Sequence, residues 1–142
     1  MFHSRIHQKP WLILAMLWCC GQVCAASTGE APGVLATSDE QFFVVFETDP
    51  NPIPQNAPFS IVVSVYEDRE RTRSAKDIEL TVDGRMPQHR HGMNTTPVIK
   101  ALDNGKFEVQ GMLFHMVGLW QLHFDITRDG ETVRAQTTIL LE

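Results

Sequence analysis

Two short windows hold most of the side chains able to bind a metal ion. In Met86-Pro87-Gln88-His89-Arg90-His91-Gly92-Met93, two imidazoles and a thioether alternate, and Met112-Leu113-Phe114-His115-Met116 supplies another imidazole between two thioethers. Alternate residues of an extended backbone project the same way. His89, His91 and Met93 are therefore expected on one side of a loop, as half of a metal site. If the second window ends at the same edge of the fold, His115 with Met112 or Met116 completes it. Nitrogen and thioether donors without thiolate or carboxylate point to copper, because methionine sulfur suits Cu(I) while imidazole serves both copper oxidation states. Zinc is the main competitor, and calcium and magnesium, which want oxygen, are poorly served. The expected metal ligands are His89, His91, Met93, His115 and Met116.

A plainer reading stands beside this one: a His-x-His in a Gly-containing loop is often only solvated, and methionine usually fills core gaps. By that measure Met112, at the end of an alternating strand, reads as core, Met86 is evenly balanced, and His123, between Gln121 and Asp125, reads as an exposed strand residue. Other chemistries fit worse. The sequence has no Gly-x-Ser-x-Gly, no Gly-rich loop entering a helix and no His-Glu-x-x-His, so the protein is expected not to be an enzyme.

The N-terminus sets the compartment. Arg5 and Lys9 precede an apolar run from Trp11 to Cys20, and small residues surround Val23-Cys24-Ala25-Ala26. This is the three-part layout of a cleavable secretory signal over residues 1–25, with cleavage after Ala25 or Ala26. The run is shorter than the roughly 20 residues a spanning helix needs, so an uncleaved anchor is the weaker reading. No small residue directly precedes Cys20 or Cys24, which argues against a lipoprotein. The mature chain then lacks cysteine, which excludes disulfides and thiolate zinc sites. Removing the signal takes away Arg5 and Lys9 and no carboxylate, leaving a domain more acidic than the chain's net −5. Such a charge does not attract nucleic acid. The expected location is periplasmic or secreted, with no membrane span after cleavage.

Residues 26–40 read as a flexible leader and 41–142 as one β domain. Short β-branched and aromatic runs alternate with turn residues, and no window favours a long amphipathic helix. Seven strands are expected: residues 41–48, 59–67, 78–83, 98–102 and 106–112, one carrying Trp120, Leu122, Phe124 and Ile126 on its inner face, and 132–141. Asp103-Asn104-Gly105 and Asp129-Gly130 mark tight turns. Seven short strands so spaced predict an all-β, seven-stranded antiparallel immunoglobulin-like β-sandwich. In such a fold, loops distant in sequence meet at the two ends.

The two windows also resemble a known family. Met86-Pro87-x-His89-x-His91-Gly92-Met93, followed by Gly105-x-Phe107-x-Val109-x-Gly111-Met112-x-Phe114-His115-Met116-x-Gly118-x-Trp120, is similar to the YtkA-like domain, related to the FixH group of oxidase-assembly accessory proteins. The likeness covers roughly residues 59–141. It implies an exported immunoglobulin-type sandwich, a link to copper handling or respiratory oxidase assembly, and His89, His91, Met93, His115 and Met116 as the matching positions. Val117 departs from the proline expected there, and the chain lacks the evident transmembrane helix of FixH proteins.

Two functions follow as expectations. The first is a periplasmic copper-binding protein, a metallochaperone or copper buffer that serves a periplasmic or membrane cuproprotein. The alternative is a metal-free exported interaction module. Oligomeric state is left open by the sequence.

Overall fold

A computed structural model describes residues 33–142. The signal peptide expected over 1–25 and the first part of the leader lie outside the described residues. Nine strands follow in order: β1 (Leu35–Ala36), β2 (Phe43–Asp49), β3 (Phe59–Tyr66), β4 (Glu79–Met86), β5 (His91–Gly92), β6 (Val98–Ala101), β7 (Lys106–Met112), β8 (Gly118–Arg128) and β9 (Glu131–Leu141). They form two antiparallel sheets, ordered β1-β2-β3-β7-β6 and β5-β4-β8-β9, stacked as a β-sandwich. Among the described residues no helix is long and apolar enough to cross a membrane.

All seven expected strands are present, and the two additions, β1 and β5, are only two residues each. Neither could have been read from alternation, since two residues carry no period. β1 lies within the segment 26–40 that the sequence reads as leader. Leu35 and Ala36 pair with Val44 and Phe43, and Thr37 is buried, its hydroxyl accepting from the Phe42 amide at 3.1 Å. The fold therefore takes in part of the segment read as leader.

Period-two patterning decides which side chains meet between the sheets. Ile61, Val63 and Val65 of β3 are completely buried, as are Val109 of β7 and Trp120, Leu122, Phe124 and Ile126 of β8. Phe46 of β2 and Phe124 of β8 cross the gap with ring centroids 5.2 Å apart. Each such side chain contributes roughly 1.5–3 kcal/mol when removed from water, so this layer fixes register, because a one-residue slip would turn it outward. The turns behave as their residues require. Asp129 and Gly130, between paired Arg128 and Glu131, have φ of 51° and 83°, the paired positive values of a type I′ hairpin, while Asn104 and Gly105, at 59° and 68°, sit in a connection closed by the Leu102 amide donating to the Lys106 carbonyl at 2.8 Å.

Candidate metal-binding tip

The antiparallel ladder between β4 and β8 brings the two windows together. Arg85 pairs with Gln121, so the end of β4 lies beside the start of β8. Residues 87–90 then turn back into β5, which sets His91 opposite Met86 and Gly92 opposite Arg85. From the other sheet, β7 ends at Met112, and residues 113–117 cross to β8 over the same end of the sandwich.

At that tip the imidazoles of His91 and His115 lie 5.1 Å apart, centroid to centroid, with their planes 32° apart. His89 sits 5.7 Å from His91 on the outer side. Trp120 is the floor, meeting His91 edge-on at 6.2 Å and His115 at 5.5 Å. Its indole, fully buried, stacks on Phe114 at 4.4 Å with a 7° interplanar angle. Its Nε1–H donates to the Met116 carbonyl at 2.9 Å, pinning the second window to the base of the first. An offset aromatic pair of this kind adds about 0.5–1.5 kcal/mol beyond its buried area.

The two rings differ in the partners of their nitrogens. His91 Nδ1 lies 3.2 Å from the Gly92 carbonyl. A carbonyl only accepts, so Nδ1 is the donor in that contact, and Nε2 is the ring nitrogen that would serve a metal ion. On His115, Nδ1 is buried and has no hydrogen-bond partner. A buried imidazole nitrogen without a partner costs free energy, and a metal ion bound to it would remove that cost.

The alternation argument holds only in part. His89 belongs to the turn, its amide donating to the Met86 carbonyl at 3.1 Å, so it reaches the site from a turn and not from an extended strand. Met93 is packed inward: its sulfur would lie 3.3 Å from a Cβ added at Gly84, and its amide donates to the Gly84 carbonyl at 3.0 Å. Met116 is exposed at the rim. Met86 and Met112 are both core residues, 1% and 0% exposed. Among the described residues no three His, Asp or Glu side chains converge as a metal-holding group. The arrangement is two imidazoles in contact, a third close by, and thioethers beneath and at the rim. Beside it lies an open depression of about 480 Å³, walled by Met86, His91 and Met93 and by Asp83, Arg85 and Arg90.

Trp120, Phe114 and Gly84 were missed as parts of the site. Trp120 was legible as an inward strand residue, but nothing in the spacing said that it would lie under both histidines. Gly84 makes the floor possible, because a Cβ there would meet Phe114 Cε1 at 2.6 Å.

His123 differs from expectation. It does lie on the outward face of β8, between Asp83 of β4 and Gln136 of β9, yet it is only 6% exposed, and neither ring nitrogen has a partner. Around it are two ion pairs, Arg85 with Asp83 at 2.7 Å and Arg134 with Asp125 at 2.6 Å. Burial, with the Arg134 charge next in weight, pushes its pKa below the usual 6.5 despite the opposing pull of Asp125 and Asp83. It stands apart from the tip.

No protein-family model matches this chain, and no curated protein matches it. The resemblance to the YtkA-like domain therefore rests on the motif residues alone. Among solved structures, the chain is similar to FetP of uropathogenic E. coli strain F11, recombinantly expressed in the periplasm of E. coli. The TM-score is 0.46 and the identity 6%, over 80% of this chain and 99% of that one. A score at that level carries no argument about function.

Proposed function

We propose that this protein binds copper outside the cytoplasm, as a carrier or buffer and not as an enzyme. His91 and His115 form the core of the site. His89, 5.7 Å from His91, and the sulfurs of Met93 and Met116 are the further donors proposed to complete it. The observation that carries this reading is the close approach of two imidazoles, one on β5 and one in the crossing from β7 to β8, the second with a buried, unpartnered Nδ1. Copper is favoured over zinc by the remaining donors. Structural zinc asks for four nitrogen, oxygen or thiolate ligands in a tetrahedron, whereas Cu(I) accepts imidazole and thioether together. His91 and His115 would hold the ion; the chain's own part is to orient both rings on Trp120 and shield them from below.

X-ray absorption of the protein loaded with one equivalent of Cu(I) tests the donor set. A first shell containing both nitrogen and sulfur is expected. A shell of light atoms alone would remove Met93 and Met116, and failure to retain copper through desalting would favour the metal-free interaction module.

A further inference from the structure

The four sheet edges are not equally protected. β1 and β5 have two residues each and β6 has four, including Lys100, and shortness and charge are the usual defences against strand-to-strand association. β9 is different. It runs eleven residues in unbroken register with β8. Its second half reads Gln136-Thr137-Thr138-Ile139-Leu140-Leu141, with no lysine, proline or bulge. β1 packs near β9, tied to it by the Ser38 amide donating to the Arg134 carbonyl at 3.1 Å, and among the described residues no strand is hydrogen-bonded to the outer edge of residues 136–141.

That tie also shows which backbone groups face outward. Arg134 turns its carbonyl away from β8, and by the alternation of an antiparallel ladder so do Gln136, Thr138 and Leu140. Among the described residues none of these three has a partner for its N–H or C=O on that edge. Side chains add an apolar surface. Leu140 and its cross-strand neighbour Leu119 are 60% and 41% exposed on the outer face. On the inner side, Ile139 and Leu141 border an open groove against Phe46 of β2 and Ile53 of the connection that follows it.

We infer that the second half of β9 is a dimer interface, occupied by the same segment of a second copy running antiparallel about a twofold axis at Thr138. In this register Gln136 bonds Leu140 of the other copy and Thr138 bonds its own equivalent, so every outward N–H and C=O from Gln136 to Leu140 is paired. A twofold interface must be self-complementary, and this one is. It brings Arg134 of one strand towards Glu142 of the other at both ends and sets no like charges opposite each other. Thr137 and Ile139 of the two strands lie side by side along the groove. The inference is independent of copper binding.

Sedimentation of the purified protein over a concentration series tests it, with unfolding curves to show that each variant is folded. The wild type is expected to reach about twice the monomer mass. Leu140→Arg, a change at an exposed side chain, is expected to leave a folded monomer. A Thr138→Cys variant is expected to cross-link under mild oxidation, since bonded antiparallel pairs hold Cα atoms about 5.5 Å apart, within disulfide reach. Thr132→Cys, at the far end of β9, is expected not to do so beyond the background of unmodified protein. A wild type that stays monomeric at every concentration, or a dimer indifferent to Leu140→Arg with equal cross-linking at both cysteines, would overturn the assignment.

Discussion

His91 and His115 touch across the end of the sandwich, 5.1 Å between ring centroids, although one follows a hairpin in the four-stranded sheet and the other lies in the crossing between sheets. Their meeting is a consequence of the β4–β8 register and of Trp120, which contacts both rings and holds the Met116 carbonyl.

Gly84→Ala removes the space that Phe114 occupies. The new Cβ would meet Phe114 Cε1 at 2.6 Å, and Met93 sits 3.3 Å away on the same side. Overpacking of this kind costs about 1–3 kcal/mol. Denaturant unfolding is expected to show that loss. Near-UV circular dichroism is expected to change with it as the Phe114–Trp120 stack shifts, and unchanged stability with an unchanged aromatic spectrum would refute the packing argument.

Stability is expected to depend on pH through His123. Its pKa is lowered in the fold, so the unfolded chain binds the proton more readily; stability is full above the ordinary value of 6.5 and declines as pH falls below it, down to the depressed folded value. Unfolding free energies measured at mildly alkaline and mildly acidic pH should show this slope in the wild type and less of it in His123→Gln. An identical slope in the two proteins would assign the effect to other groups.

Trp120 is the one tryptophan among the described residues, and it lies in ring contact with both histidines. Its emission is expected to fall on addition of one equivalent of copper. Loss of that response in His91→Ala/His115→Ala, with the starting spectrum retained, is the matching control. Equal quenching in both proteins would place the ion elsewhere.

Binding to the folded state alone must also raise thermal stability. Copper is expected to raise Tm in the wild type and much less in the double histidine variant. An equal rise in both would contradict a site at the tip.

Much of this was legible in the sequence. Alternation of Phe59, Ile61, Val63 and Val65, and of Trp120, Leu122, Phe124 and Ile126, marks inner faces that the structure confirms as buried. Asn104-Gly105 and Asp129-Gly130 mark hairpins by their tolerance of positive φ. What escaped was set by contacts between distant segments. Residues 35–36 pair only because β2 supplies an edge, and His123 is enclosed because two arginine–carboxylate pairs crowd the outer face around it. The inward packing of Met93 depends on the absence of a side chain at Gly84, a relation between positions that local periodicity does not contain.

His91 and His115 are proposed to hold one and the same ion. Anaerobic competition titration of Cu(I) against wild type, His91→Ala, His115→Ala and the double variant measures it directly, because residues sharing a partner are non-additive. The account predicts that each single substitution weakens binding by about tenfold or more, roughly 1.4 kcal/mol, and that the double variant loses far less than the sum of the two. Strictly additive losses, or affinity untouched by either substitution, would contradict it.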